Sequence, residues 1–285
     1  MTSSTALTHP LSMPRMGLGT WGMGESPARR RQEVSAVRTA IDMGYRLIDT
    51  AEMYGDGGAE EIVGEALAQA LRASEVQRGD LFIVSKVYPH NASRAGTLAA
   101  CERSLRRLGL DHIDLYLLHW RGQHPLADTC AALQTLVAQG RIGRWGVSNF
   151  DTDDMQELWA LPDGTACAAN QVYYSLSERG AGFSLLPWQQ AHGVPLMAYS
   201  PIDQGALTHH ANLQALAERH SATPAQIALA WLLAQPGVVA IPKAVHETHQ
   251  RENLAAMQLQ LLPDDLALLD RLFTPPVRKT PLAML

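Results

Sequence analysis

Cysteine is scarce in this chain: Cys101, Cys130 and Cys167 are the only three among 285 residues. An odd set with no C-x-x-C spacing offers neither a disulfide framework nor a thiolate metal site. Two of the three fall on apolar faces of expected helices, which reads as buried free thiols. Positive charge is not in excess either. The 23 Lys and Arg against 28 Asp and Glu leave a formal charge of -5, without the basic footprint that nucleic acid or an anionic membrane requires. No apolar run approaches the roughly 20 residues that span a bilayer. The opening stretch from Met1 to Gly17 has no charged head followed by a continuous apolar core, so a cytoplasmic protein is expected. No Ser/Pro/Gly-rich linker interrupts the chain, and residues 1–285 are expected to form a single domain.

What is present is a repeated pattern. Eight short apolar runs end in polar residues, at 16–21, 46–51, 81–86, 114–119, 144–149, 167–171, 194–200 and 238–243. Between them lie segments of helical period, such as Val34, Val37 and Ile41, or Leu98, Cys101, Leu105 and Leu108. Gly44, Gly109 and Gly140 follow the last apolar position of three of these, where a left-handed C-cap belongs, and Thr223 with Gln226 forms a capping box in front of another. Strand-helix alternation through eight units is the signature of an α/β protein of the (β/α)8 barrel type. A doubly wound open sheet is the rival, but the glycine-rich match around Gly17 to Gly24 is followed by no Rossmann-type acidic residue at the end of a second strand in a nucleotide-binding role. A further helix from about Asp264 to Phe273 and an irregular tail complete the chain.

Barrel enzymes carry their chemistry at the C-terminal ends of the strands. Asp49, Lys86 and His119 each sit at such an end, one strand-helix unit apart, and Tyr54 follows closely after Asp49. Each alone has a plain structural reading: a cap, an ion partner, a satisfied core imidazole, a rim aromatic. Together they do not, because a carboxylate, an ammonium and an imidazole buried at one barrel mouth are costly without mutual pairing. Beside a phenol, that pairing is a device for shifting a pKa. A metal-dependent barrel hydrolase fits poorly, since strand one ends in Leu18-Gly19-Thr20-Trp21 rather than H-x-H. The adjacent His209 and His210 lack partnered ligands and read as an exposed loop, so no metal is expected.

The motifs GLGTWG, LIDTAEMYGDGGAEEIVGEAL, SKV, DLYLLHW, RWGVSNF, NQVYYS, AYSP, AIPKAV and REN, in this order and spacing, resemble the aldo-keto reductases from about Leu11 to Phe273. The likeness is greatest to short bacterial members that reduce methylglyoxal and other small carbonyls, or diketogluconate. The resemblance implies a nicotinamide-dependent reductase of small aldehydes and ketones, including aromatic aldehydes and keto sugars. NADPH is the expected cofactor and NADH the alternative, and the protein is expected to be a monomer, with weak self-association as the alternative. Tyr54 would donate the proton, Lys86 would lower its pKa, Asp49 would keep Lys86 charged, and His119 would hydrogen-bond the carbonyl oxygen. The cofactor would be held by Gly19, Thr20, Trp21 and Asp49, by Ser148, Asn149 and Gln171 on the carboxamide, and by Tyr199 stacked on the ring. Ser200, Pro201, Ile241, Pro242, Lys243, Ala244, His249, Glu252 and Asn253 would complete its site. Trp21, Met23, Met53, Tyr54, Tyr88, His119 and Trp120 would line the substrate pocket.

Two departures from larger relatives stand out: the segment from Trp120 to Pro125 and the tail after Phe273 are both short, which implies an open pocket of broad tolerance. A third is Ala244 and His249, where members that prefer the phosphorylated cofactor usually carry a Ser or Thr and an Arg. A weakened preference for NADPH, strengthening in acid where an imidazole is charged, is therefore expected. The competing reading is a cofactor-sensing subunit of a larger assembly with little turnover.

Overall fold

Each of the eight apolar runs becomes a strand in the computed structural model, which describes residues 13–285. Leu11 and the first twelve residues of the expected domain lie outside the described part. The strands are β1 (Gly17–Gly19), β2 (Leu47–Asp49), β3 (Phe82–Val87), β4 (Ile113–Leu118), β5 (Ile142–Ser148), β6 (Asn170–Tyr173), β7 (Leu196–Tyr199) and β8 (Val238–Ala240). They pair in sequence order and all in parallel. The hoop is closed between β8 and β1 by two bridges, Met16 with Ala240 and Gly19 with Lys243. This is the (β/α)8 barrel.

Parallel neighbours need crossover helices, and the chain supplies them. They are α1 (Arg30–Asp42), α2 (Gly58–Arg72), α3 (Arg94–Leu108), α4 (Leu126–Ala138), α5 (Thr152–Trp159), α6 (Leu185–Ala191), α7 (Ala211–Arg219), α8 (Pro224–Leu233) and α9 (Glu247–Ala255), with α10 (Pro263–Leu272) at the end. The boundaries follow local chemistry. Gly109 closes α3 at a φ of 64°, a left-handed cap that costs a glycine nothing. Thr223 accepts from the Gln226 N–H while Gln226 reaches back to the Thr223 N–H, which fixes the start of α8.

Side chains alternate along a strand, so each has an inward and an outward set. The outward set, including Ile48, Ile83, Tyr116, Val147, Val172 and Ala198, joins the helices in the larger apolar core. The inward set, Leu47, Val84, Leu115, Leu117, Ala169, Met197, Val239 and Ile241, fills the barrel. At Gly17 the barrel is so tightly filled that a Cβ would lie 2.2 Å from Leu47 Cδ2. All three cysteines are buried and free of disulfide bonds. Burial pushes the thiols up, to about 12 for Cys101 and Cys167 and about 11 for Cys130, as inert core groups require.

Candidate active site

The same alternation delivers the chemistry. Two residues past an inward apolar residue is the next inward position, so Leu47 leads to Asp49, Val84 to Lys86, Leu117 to His119, Ala169 to Gln171, Met197 to Tyr199 and Ile241 to Lys243. The barrel filling thus ends in a polar layer at its C-terminal mouth.

Lys86 is fully buried and its ammonium has three partners for three N–H bonds. Nζ donates to Asp49 Oδ2 at 2.8 Å, to the Thr50 carbonyl at 2.8 Å and to Tyr54 Oη at 3.3 Å. The other oxygen of Asp49 accepts from Gln171 Nε2 at 2.7 Å, and its carbonyl accepts from Thr20 Oγ1 at 2.9 Å. Burial lowers the pKa of Lys86, and the Asp49 carboxylate opposes that shift. Behind β3, the fully buried Glu60 adds a second negative charge. It accepts from Ser85 Oγ at 2.6 Å and from Arg107 Nε at 2.6 Å.

The Tyr54 phenol runs against expectation. Burial first, and the Asp49 carboxylate second, push it well above its usual range, rather than Lys86 drawing it down. Lys86 nevertheless lies 4.9 Å from the ring centroid and within hydrogen-bond reach of the oxygen. The phenol therefore rests protonated, with the cation placed where phenolate charge would develop. His119 meets Tyr54 edge-on at 5.6 Å and Trp120 at 4.9 Å. Burial and the charge of Lys86 hold its imidazole well below the usual range, so it is neutral, and its Nδ1 is buried without a partner.

These groups lie at the bottom of a cleft of about 1110 Å³. One wall carries Ser148, Asn149 and Tyr199, already bonded to one another: Asn149 Nδ2 donates to Ser148 Oγ at 3.2 Å, and Tyr199 Oη donates to Asn149 Oδ1 at 3.0 Å. The Tyr199 ring is backed by Tyr173 at 5.8 Å in a stacked pose. Ser200 and Pro201 continue this wall, and Ile241, Pro242, Lys243, His249, Glu252 and Asn253 form the far end. Past β7 the wall is a strained loop in which Ser200, Asp203 and Gln204 all have positive φ, near 50°. Tyr173 and Ser177 hold that loop through the two carboxylate oxygens of Asp203.

Several expected residues lie elsewhere. Met23 is fully buried in the apolar core and does not reach the cleft. Tyr88 is turned from it, stacked on His90 at 4.6 Å and against the edge of Trp120 at 5.2 Å, with its backbone N–H held by Glu52. Thr20 and Ala244 are buried behind the lining and support it without forming its surface. Gln171 does line the cleft, and its amide nitrogen donates to Asp49 Oδ1. The tail was expected to leave the mouth open. Instead Lys279 pairs with Asp153 at 2.6 Å, and Met284 and Leu285 return to line the cleft, the Leu285 N–H donating to Tyr199 Oη at 3.4 Å. Glu25, Arg29, Ile202, Gln204 and Thr208 also line it, and His209 stands there exposed. Nothing in their local sequence marks them, since they are brought in by the courses of the loops after β1 and β7.

The chain belongs to the aldo/keto reductase family, with residues 15–273 matching the family pattern. It is 48% identical over 279 residues to methylglyoxal reductase YeaE of Escherichia coli, across 96% of each protein. Glyoxal reductase of Bacillus subtilis is 38% identical over 267 residues, across 93% of this chain and 91% of that one. An aldo-keto reductase from Klebsiella pneumoniae, solved in complex with NADPH, superposes with a TM-score of 0.91 at 51% identity, covering 96% of this chain and 95% of its own. No helix among the described residues is long and apolar enough to cross a membrane.

Proposed function

We propose that the protein is an NADPH-dependent reductase of small reactive carbonyls such as methylglyoxal, with Tyr54 as the proton donor. The observation that carries this reading is the buried Asp49–Lys86–Tyr54 cluster opening beside His119 onto a cleft large enough for a dinucleotide and a small substrate. The cleft suits a nicotinamide cofactor on its own chemistry: a flat, backed aromatic face at Tyr199, amide and hydroxyl groups at Ser148 and Asn149, and the exposed cation of Lys243 near the first turn of α9. When bound, the reduced nicotinamide supplies the hydride.

The chain's own groups do the rest. His119, neutral, donates to the carbonyl oxygen and fixes its approach, and Tyr54 transfers its proton to that oxygen as negative charge builds there. Lys86 then stands beside the resulting phenolate, and Asp49 and the Thr50 carbonyl keep the ammonium in place. Ser148 and Asn149 orient the carboxamide, Lys243 and His249 take cofactor phosphates, and Glu252 and Asn253 meet the adenine.

The substrate end of the cleft is apolar and small. Trp21, Met53, Met284 and Leu285 line it and stand exposed, while Trp120 flanks His119. Methylglyoxal, glyoxal and nitrobenzaldehydes should all be reduced with modest discrimination, because apolar contacts distinguish small carbonyls only weakly. Keto sugars should also enter. Oxidation of NADPH and NADH against such a panel tests the reading. A single bulky ketone preferred by several orders of magnitude would overturn the small-carbonyl assignment. Tight cofactor binding with no turnover of any carbonyl would instead favour a cofactor-sensing subunit.

A further inference from the structure

The cleft is poor in fixed positive charge. Lys243 and Arg29 are the two Lys or Arg residues among the described residues that line it. Arg251, the guanidinium on α9, does not line the cleft and pairs with Glu247 at 2.7 Å on the solvent side. A cofactor carrying a 2′-phosphate brings more negative charge than one lone, strongly hydrated ammonium offsets well.

Arg29 stands where a second cation would serve. It ends the loop that leaves β1 and enters α1, and β1 borders Lys243: Gly19 forms a bridge with Lys243, and the Gly19 N–H donates to the Pro242 carbonyl at 3.0 Å. The helix that Arg29 introduces packs on α9. Gln250 Nε2 donates to the Ala36 carbonyl at 2.9 Å, and Tyr45 Oη donates to the Gln250 carbonyl at 2.9 Å. Arg29 and His249 therefore stand near the starts of two adjoining helices, and both line the cleft with Lys243. Ser200, Pro201, Ile202, Gln204 and Gly205 of the loop after β7 line it as well.

The guanidinium is also available. Its two ion pairs, to Glu25 Oε2 and Glu33 Oε1, are both 3.6 Å, too long for hydrogen bonds, and its side chain is 48% exposed. The two carboxylates differ. Glu33 is buried and committed to the loop through the Gly24 N–H at 3.0 Å, so it anchors the arginine. Glu25 is exposed and itself lines the cleft, where it competes with any anion for the same guanidinium.

We propose that Arg29 recognises the 2′-phosphate of the cofactor together with Lys243, and that Glu25 holds the site until the phosphate displaces it. This rests on the reductase reading, because the ligand is that enzyme's cofactor. The planar, five-donor guanidinium gives the phosphate paired hydrogen bonds that Lys243 does not provide.

The test is equilibrium binding of NADPH, NADH, adenosine 2′,5′-bisphosphate and adenosine 5′-monophosphate to the wild type and to Arg29→Gln, Arg29→Lys and Glu25→Gln, by calorimetry at fixed ionic strength. Arg29→Gln should weaken NADPH and the bisphosphate about 10-fold or more, the scale of a lost charge-assisted contact, and leave NADH and the monophosphate within about 2-fold. Arg29→Lys should recover part of the loss. Glu25→Gln should move in the opposite direction, tightening NADPH a few-fold without altering NADH. Equal weakening of NADPH and NADH would place Arg29 on the pyrophosphate and overturn the proposal, as would an unchanged NADPH affinity. Failure of the wild type to bind either nicotinamide would instead remove the reductase reading, so the two failures are distinct. Unaltered NADH affinity in the variants reports that their fold is intact.

Discussion

Tyr54→Phe should lower carbonyl reduction by roughly 100- to 10,000-fold, the usual worth of a positioned general acid, while the dissociation constant for NADPH stays within a few-fold of wild type. The substitution removes one oxygen, and among the described residues the hydrogen bond given to that oxygen comes from Lys86 at 3.3 Å. The phenol rests protonated because burial and Asp49 disfavour its anion. In reduction the donor is thus in its required state across neutral and mildly alkaline pH, and the cost of forming phenolate is met by the adjacent ammonium. The neutral His119 does not replace it: its pKa lies well below the usual range, so it carries no spare proton to give at neutral pH. Single-turnover rates with saturating NADPH are the measurement. Turnover within a few-fold of wild type would remove Tyr54 from the donor role.

The second large effect is that of Lys86→Met, which should damage both catalysis and folding. Activity should fall as far as in Tyr54→Phe, because the charge facing the nascent phenolate is lost. Stability should also fall by about 3–5 kcal/mol, since Asp49 is left as a buried carboxylate whose remaining side-chain donor is Gln171 Nε2. The two effects separate in a double variant. Lys86→Met with Asp49→Asn removes the stranded charge and should recover much of the stability but none of the activity. Urea unfolding of the single and double variants, alongside NADPH oxidation rates, decides it. If Lys86→Met unfolds at the wild-type midpoint, the buried pair does not have the energetic role described.

The barrel and part of the polar layer at its mouth were legible in the sequence. Asp49, Lys86 and His119 stand out as the polar ends of apolar runs one strand-helix unit apart, whereas Gln171 entered only through the resemblance to a known pattern; the period of two along each strand turns all four inward. Where that period stops, so did legibility. Met23 was expected at the mouth because it follows Trp21 in a loop, but the loop turns it into the larger apolar core. Tyr88 follows β3 closely, yet Glu52 captures its backbone N–H and redirects it. Arg29, Glu25 and Leu285 could not be placed, because their positions depend on packing between segments far apart in the chain. The direction of the Tyr54 shift was missed for a related reason: a pattern of residue types records neighbouring charges but not how dry the site is, and burial dominates here.

The closure of the barrel carries a consequence of its own. β1 and β8 meet through two bridges, with the Gly19 N–H on Pro242 and the Ala240 N–H on Arg15. β4 and β5, by contrast, are in register over several residues. The seam is therefore the thinnest part of the hoop, and local opening there costs the least. Lys243 and Arg29 stand on its two sides, so a ligand that both of them grip would hold the seam shut, and amide hydrogen exchange at Gly19 and Ala240 would slow as the cleft fills. At about 100 times its dissociation constant such a ligand adds about 2.7 kcal/mol to the folded state. The empty protein and the loaded one would then differ most in how readily the barrel unzips.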